Sequence, residues 1–161
     1  MVRIVLLTHE RELSRRTNTG QLALRARDDL SIERIVWKRS EPSPELLRLI
    51  NREEVALLYP VSETRSEVSE VASVVEVHNF ILLDGTWQEA RKMYNRSPYL
   101  HPLPRVDLNI RHASRFNLRR NQRDGCLCTA ETVIEVLRAK GEDLTAQDVT
   151  ARFTRFLAEN A

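Results

Sequence analysis

The sequence predicts an α/β fold in which a mostly parallel sheet is flanked by helices. Strand-like apolar runs alternate with segments of helical periodicity, two of these runs are apolar without interruption, and two amphipathic helices follow near the end. The 161 residues are enough to bury one substantial core, so we expect a single domain over 1–161. Hydrophobic and charged contents of 42% and 30% place the chain among soluble globular proteins rather than disordered ones.

The first half of the chain alternates between two short strands and two helices. Residues 3–7 and 32–37 are short runs rich in β-branched side chains, which favour strands. Between them, apolar residues of 20–30 recur on one side at helical spacing and predict a helix. A second helix is predicted over 43–52, with Ser43 as its N-cap and a proline at its first position.

The second half begins with the two uninterrupted apolar runs, 55–60 and 80–84. Such runs are typical of strands that are buried on both faces. A helix is predicted over 86–96, and the segment 100–110 holds two prolines and then a possible strand. Two further helices, each opened by a threonine with an acid or amide close behind, are predicted at 129–141 and 145–160.

Basic residues are concentrated in the middle of the chain. The segment 91–123 holds nine Lys or Arg against one acid, a net charge of +8, whereas the rest of the chain carries a net charge of −6. A basic segment on an otherwise acidic protein suits binding to a phosphate backbone, although arginines spread over unrelated faces would give the same count.

Membrane, secreted and zinc-stabilised classes are disfavoured. No apolar stretch approaches the length of a membrane span, and the first residues become charged too soon for a secretory signal, so we expect a cytoplasmic protein. Cys126 and Cys128 are too close in sequence for a good disulfide and too few for a zinc site. We expect small, buried or half-buried side chains beside a helix start.

Two strand ends are candidate ligand sites, because ligands of α/β sheets bind outside the carboxyl ends of the strands. One is Tyr59–Pro60, and the other is Asp84–Trp87. In the second, Gly85 allows a tight turn into a helix whose first amides can hold an anion. Asp84 could act as a base, hold a ligand amine or hydroxyl, or simply cap the helix that starts at Thr86.

Other catalytic patterns are not found in the sequence. It has no phosphate-cradling glycine motif, no Ser-His-Asp or Cys-His arrangement, and no histidine spacing suited to a metal. A metal-free enzyme that uses an organic cofactor fits these absences best.

Several motifs together resemble one known family. In the segment 84–90, the aspartate, threonine, tryptophan and alanine match the signature of the DTW-domain family. The family's other landmarks occur in order: TNTG at 17–20, YP at 59–60, LRR at 118–120 and CLCTAE at 126–131, with a cysteine at position 128 in place of the usual serine. The matches extend roughly from Thr8 to Leu137. DTW proteins are similar to the SPOUT class, which implies a C-terminal trefoil knot.

The resemblance implies a tRNA-uridine aminocarboxypropyltransferase. Such an enzyme transfers the 3-amino-3-carboxypropyl group of S-adenosylmethionine (SAM) to N3 of a uridine and releases methylthioadenosine. Many relatives carry an N-terminal cysteine cluster suited to zinc, but this chain has no cysteine before Cys126, so no metal is expected.

The resemblance also implies site residues, of which Asp84 and Trp87 are the catalytic candidates. Asp84 would be the general base, would orient that base, or would bind the amino group of SAM. Trp87 would form one wall of the pocket, or would belong to the core. The expected cofactor-binding residues are Tyr59, Pro60, Leu83, Asp84, Gly85, Thr86, Trp87, Leu127, Cys128, Thr129 and Glu131.

Within this set, Thr86 or Thr129 would hold the carboxylate of the transferred group. Glu131 would bond the nucleotide or complete the helix start. Asn18 or Thr19 would cap a helix or reach the substrate.

The arginines would then bind tRNA, the expected partner. The predicted RNA-binding residues are Arg91, Lys92, Arg96, Arg115, Arg119, Arg120 and Arg123. Tyr94, Tyr99 and Phe116 are candidates for base stacking, with the core as the stronger interpretation.

Other functions stay open. One is a SPOUT-type RNA methyltransferase, a second is aminocarboxypropyl transfer to rRNA, and a third is a non-catalytic RNA-binding module. The protein could be a monomer or a homodimer.

Overall fold

The structure, a computed structural model, describes residues 2–27, 29–59, 71–106, 108 and 127–160. Its strands are β1 (Val2–His9), β2 (Arg25–Arg27), β3 (Leu30–Trp37), β4 (Val55–Leu58), β5 (Val71–Ala72), β6 (Asn79–Asp84) and β7 (Arg105–Val106). Its α-helices are α1 (Pro44–Arg52), α2 (Trp87–Asn95), α3 (Thr129–Ala139) and α4 (Asp143–Glu159). Short 3-10 turns cover Glu10–Ser14, Gly20–Leu22 and Pro98–Leu100.

The strands form one sheet in the order β2-β3-β1-β6-β4-β7-β5. Only the edge pair of β2 with β3 is antiparallel, and every other pairing of the sheet's described strands is parallel. The predicted α/β class with a mostly parallel sheet is therefore confirmed. The trefoil knot stays a prediction.

Helices cover both faces of the sheet. On one face, alternate side chains of the central strands, including Leu6 and Phe80, pack with Val133 of α3 and Val149 of α4. On the other face, the intervening side chains pack with α1 and α2. Because both faces of β1, β4 and β6 are covered, these strands carry the apolar runs from which they were predicted.

The predicted helix over 20–30 is wrong. The segment forms the 3-10 turn Gly20–Leu22, the strand β2 and then the beginning of β3. Tertiary contacts decide this, because β2 pairs with β3 along the sheet edge and Arg25 forms an ion pair with Asp148 of α4. Leu30, which suited a helical stripe, is instead fully buried as the first residue of β3.

The other predicted helices are found, with small differences at their starts. Ser43 caps α1 by accepting a hydrogen bond from the Leu46 amide at 3.3 Å, as predicted. The N-cap of α3 is Cys128, one residue before the predicted threonine, and α4 begins at Asp143 rather than at Thr145, which is buried. None of the helices in the described ranges is long and apolar enough to cross a membrane.

Candidate active site

The carboxyl ends of β1 and β6 meet at the centre of the sheet. Thr8, near the end of β1, lies opposite Asp84, the last residue of β6. From β1 the chain continues to β2 and β3 on one side of the sheet, and from β6 it continues to β7 on the other side. This reversal of strand order is a topological switch point, the place where parallel α/β sheets bind ligands.

Asp84 is at the centre of a buried hydrogen-bond network at this switch point. Its side chain is 1% exposed. Its Oδ1 accepts from Asn18 Nδ2 at 3.0 Å and from Thr129 Oγ1 at 2.9 Å. Its Oδ2 accepts from Thr8 Oγ1 at 3.0 Å and from Asn18 Nδ2 at 3.1 Å. Donors thus surround both carboxylate oxygens, as the burial of an ionised carboxylate requires.

Arg34 supplies the positive charge closest to Asp84 among the described residues. Its Nη2 lies 3.7 Å from Asp84 Oδ2 and donates to Asn18 Oδ1 at 2.9 Å, while its Nε donates to Thr8 Oγ1 at 3.2 Å. The guanidinium therefore orients two of the groups that donate to Asp84. In particular, it holds the Asn18 amide with its oxygen toward Arg34 and its nitrogen toward the carboxylate.

Gly20 allows the network to close. A Cβ atom at this position would lie 2.7 Å from Asp84 Oδ2 and 3.1 Å from its Cγ. The first separation is shorter than real Cβ contacts and the second is tighter than most of them, so only glycine leaves room for the carboxylate in its observed position. The TNTG segment thus contributes Asn18, which donates hydrogen bonds to Asp84, and Gly20, whose lack of a side chain leaves space for the carboxylate.

The network continues through ion pairs to α2. Glu12 accepts from Asn18 Nδ2 at 3.1 Å and is paired with Arg15. The Arg15 guanidinium donates to both carboxylate oxygens of Glu89, at 2.7 and 2.9 Å. His9 Nδ1 lies 3.7 Å from the same carboxylate. The segment after β1 therefore connects the Asp84 network to the first turn of α2.

Glu89 also stabilises the start of α2. Its Oε1 accepts from the Thr86 amide at 3.0 Å, and its own amide donates to Thr86 Oγ1 at 3.1 Å, which completes a capping box. Thr86, not Asp84, is therefore the N-cap. Burial acts to raise the pKa of Glu89, but the hydrogen bonds from Arg15 and the Thr86 amide outweigh it and lower the pKa to about 2.

Replacing Glu89 by Gln is expected to lower the free energy of unfolding at pH 7 by about 1–3 kcal/mol, because Arg15 loses one of its two carboxylate partners among the described residues and keeps only Glu12. Since the folded-state pKa of Glu89 is depressed from 4.5 to about 2, its contribution is present above pH 4.5 and is lost as the pH falls toward 2. Urea unfolding at a series of pH values would measure the free energy of unfolding of the wild type and of the Glu89→Gln protein.

The difference between wild type and Glu89→Gln should therefore shrink as the pH falls through this window. Glu135→Gln is the matched control, because Glu135 forms an i,i+3 pair with Arg138 on the surface of α3. It should change the unfolding free energy by about 0.5 kcal/mol or less. A difference for Glu89→Gln that stays constant between pH 7 and pH 3 would contradict the assignment.

The start of α3 faces Asp84 and is held by the TNTG segment. Thr129, the first residue of α3, donates to Asp84, and the next amide, Ala130 N, donates to Thr19 Oγ1 at 3.1 Å. Glu131 Oε1 accepts from the Cys128 amide at 3.1 Å, which supports its helix-start role. Thr19 is thus a helix cap, but of α3, which lies far away in sequence.

Cys128 is buried at this helix start, as predicted, whereas Cys126 lies outside the described residues. Burial, together with the negative charge of Glu131, raises the pKa of the Cys128 thiol to about 12. The thiol is therefore protonated at neutral pH and is a poor nucleophile.

In a Cys126→Ser protein, Cys128 is the remaining thiol, and we expect it to react with a disulfide reagent such as DTNB at least about 100-fold more slowly than in the unfolded chain, because it lacks both access and thiolate character. Absorbance at pH 8, with and without urea, measures the two rates. Equal rates in the two conditions would show that the thiol is exposed in the folded protein.

Trp87 is at the exposed end of a stack of aromatic rings. Its ring is nearly parallel to that of Tyr59, at 11° and 6.3 Å between centroids, and Tyr59 stacks on Tyr94 at 4.5 Å. Tyr59 and Tyr94 are buried, and Arg105 Nη2 donates to the Tyr94 hydroxyl at 2.7 Å from a fully buried position. The stack therefore supports the half-buried indole from behind, with Leu83 in the same core.

The structure brings many of the predicted site residues together. Asp84 and Thr129 are hydrogen-bonded, and Tyr59 and Trp87 are stacked. Tyr94 is buried in the core, Tyr99 packs against it, and Gly85, Thr86 and Leu127 are half-buried. Arg91, Lys92 and Arg96 are exposed on and after α2. The predictions on Pro60, Arg115, Phe116, Arg119, Arg120 and Arg123 fall outside the described residues.

Sequence reasoning missed five residues of the site. Thr8, His9, Glu12 and Arg15 follow one another at and after the end of β1, and Arg34 lies within β3. Two features of the sequence could have indicated these residues. Charged residues follow the apolar strand β1 directly, and an arginine lies in the middle of the apolar strand β3. Within the described ranges, no group of three His, Cys, Asp or Glu is placed to hold a metal ion.

Comparison with known proteins shows one family. The DTW domain model matches residues 1–160 of the chain. A Drosophila melanogaster protein named tRNA-uridine aminocarboxypropyltransferase 2 is 31% identical over 137 residues, which are 83% of this chain and 54% of that protein. A Macaca fascicularis protein of the same name is 31% identical over 93 residues, which are 56% of this chain and 31% of that protein.

The chain thus spans at most about half the length of these curated relatives. No solved structure shows significant similarity to it. The match to the family model is nearly complete in length, and it includes the Asp84 network, the α2 start and the α3 start. The chain belongs to the DTW domain family.

Proposed function

We propose that this protein is a tRNA-uridine aminocarboxypropyltransferase, which moves the 3-amino-3-carboxypropyl group of SAM to N3 of a uridine and releases methylthioadenosine. The observation that carries the proposal is the Asp84 network at the switch point of the sheet, in a chain of the DTW domain family. The names of the relatives in fly and macaque support the substrate and the group transferred.

The residues around Asp84 fit SAM. Two helix starts converge here, since Thr86 follows Asp84 closely in sequence and Thr129 is hydrogen-bonded to it. Such helix starts suit the carboxylate of the methionine part. The Trp87 ring, which Tyr59 supports, suits the planar adenine or the cationic sulfonium. When bound, SAM supplies a sulfonium-activated carbon that a nucleophile can attack.

In this proposal Asp84 acts on the substrate indirectly, through the Thr129 hydroxyl. Its two oxygens are already engaged by Thr8, Asn18 and Thr129, and its side chain is almost inaccessible. Of these three donors, Thr8 and Asn18 are buried, whereas Thr129 is half-buried. The path from substrate to Asp84 therefore passes through the Thr129 hydroxyl.

The uracil N3 proton would leave along this path. Thr129 Oγ1 accepts it while passing its own proton to Asp84 Oδ1, so the charge is balanced within the network. Arg34 holds Asn18 and Thr8 in place during the transfer. The role of the protein is then to fix the uridine and the transferred carbon in reacting geometry.

Mass spectrometry of nucleosides tests the proposal. Unmodified tRNA is incubated with the protein and SAM, beside an Asp84→Ala variant and an Asp143→Asn control at an exposed position. We expect an aminocarboxypropyl-uridine and methylthioadenosine with wild type and the control, and neither with Asp84→Ala. A methylated nucleoside with S-adenosylhomocysteine, or product on rRNA alone, would overturn it, as would tRNA binding without any product.

A further inference from the structure

Four exposed basic residues at the carboxyl edge of the sheet have no assigned role. Arg11 and Arg16 follow β1, and Lys38 and Arg39 follow β3. None of the four side chains has a hydrogen bond, an ion pair or a ring contact in the structure as described. They lie at the same edge as Asp84, because parallel strands end together.

On the other surfaces of the described residues, about half of the basic side chains are neutralised. Arg3 is paired with Glu33, Arg25 and Arg152 with Asp148, and Arg138 with Glu135. Among the side chains that the structure describes, the basic residues away from the edge that lack an ion pair are Arg48 and Arg52 on α1, Arg155 on α4, and Lys140, which donates to the Val75 carbonyl. Within the described ranges, unpaired positive charge is therefore more frequent at the edge where the candidate active site lies.

Trp37 joins the segments that carry these charges. Its ring stacks on His9 at 5.7 Å between centroids, and its Nε1 donates to Ser97 Oγ at 2.9 Å from a buried position. Lys38 and Arg39, which follow Trp37, are thereby held between the segment after His9 and the end of α2. The exposed cations of the three segments linked by these contacts, 10–16, 38–41 and 91–96, form what we call the basic rim: Arg11, Arg16, Lys38, Arg39, Arg91, Lys92 and Arg96.

The rim contains little negative charge. Across residues 10–16, 38–41 and 91–96, the exposed acids are Glu10 and Glu41, whereas the basic rim supplies seven exposed cations. Charges of one sign that lack partners on the protein attract an anionic ligand without first breaking an ion pair. Their spread over three chain segments suits a polyanion better than a single small anion.

We propose that the basic rim binds the phosphate backbone of the RNA that carries the target uridine, with Arg11, Arg16, Lys38 and Arg39 forming the part contributed by the N-terminal half. The inference rests on the proposed function for the identity of the RNA. Phosphate contacts position a nucleic acid without reading its sequence, so the rim sets where the uridine meets the Asp84 network.

Binding of a fluorescent tRNA transcript, measured by anisotropy over a series of KCl concentrations, tests the rim. The variant Arg11→Gln, Arg16→Gln, Arg39→Gln is compared with Arg48→Gln, Arg52→Gln, Arg155→Gln. Both remove three exposed, unpaired arginines and so change the net charge equally. For the rim variant, the slope of log K against log salt should fall in magnitude by about 2–3, and Kd at 0.1 M salt should rise about 10- to 100-fold.

The control variant should change Kd by about 2-fold or less. Equal losses for the two variants would overturn the rim, because net charge alone would then explain binding. Single Arg11→Gln and Arg39→Gln variants, each expected to reduce the slope by about 0.7–0.9, check that one disturbed segment does not cause the effect. Binding is measured without SAM and is therefore independent of catalysis. A protein that shows the rim effect but forms no product would support the rim proposal and contradict the proposed enzymatic function.

Discussion

Asp84→Asn is expected to reduce product formation by about 100- to 10,000-fold and to lower the free energy of unfolding by about 1–3 kcal/mol. The carboxylate accepts hydrogen bonds from Thr8, Asn18 and Thr129. In Asp84→Asn, the NH2 group of the amide would face at least one of these donors and could not accept its hydrogen bond. A buried polar group left without a partner costs about 1–3 kcal/mol, and loss of positioned proton transfer costs about 100- to 10,000-fold in rate. Nucleoside mass spectrometry and urea unfolding measure the two effects.

Substitutions of Thr129 distinguish an indirect role of Asp84, through the Thr129 hydroxyl, from a direct one. If Asp84 works through the Thr129 hydroxyl, Thr129→Ser keeps most of the activity, whereas Thr129→Val has a defect close to that of Asp84→Asn although its size is preserved. Asp143→Asn, at the exposed start of α4, is the charge-matched control and should leave turnover unchanged. A fully active Thr129→Val protein would remove Thr129 from the proton path and leave Asp84 as a direct base or a ligand for SAM.

Gly20→Ala is the second large effect that we expect. The added Cβ would lie 2.7 Å from Asp84 Oδ2, and the surrounding donors restrict any movement of the carboxylate. Forcing an atom into a packed site costs about 1–3 kcal/mol, and displacing Asp84 by about 1 Å should reduce the rate about 100-fold. Single-turnover assays well below the melting temperature measure the rate separately from stability.

Gly141→Ala is the matched control for this substitution. Gly141 has a positive φ of 77° after the end of α3, and a Cβ atom added there would meet no atom of the described residues within 4 Å. Alanine there is strained by about 1 kcal/mol without touching the site. It should therefore lower stability and leave turnover intact. Normal turnover in Gly20→Ala would show that the carboxylate adapts, and that its observed position is not required.

The described strands and helices were largely predictable from local patterns. Continuous apolar runs marked β4 and β6 because both of their faces are covered, and Ser43 marked the start of α1 because unpaired amides there need an acceptor. These causes act within a few residues of each other. The helix prediction for 20–30 failed because the same apolar spacing also suits a turn and an edge strand. Pairing of β2 with β3 stabilises the strand instead of the helix.

The site was predictable only in part. The position of Asp84 at the end of a buried strand, before a helix, followed from the sequence, and its partners did not. Thr8, Asn18, Arg34 and Thr129 come from four separate segments, and their relation to Asp84 depends on the strand order and register. No periodicity contains that information.

By itself, then, the sequence determined the α/β class, most helix and strand positions, the DTW motif and the excess of positive charge in the middle of the chain. The tertiary structure decided that Asp84 is enclosed rather than open, that Gly20 must lack a side chain, and that unpaired cations from the N-terminal half join those of α2. The physical reason is the sequence separation over which each interaction acts. Burial patterns and helix caps act between near neighbours, whereas a buried carboxylate is stabilised by whichever donors the folded chain brings around it.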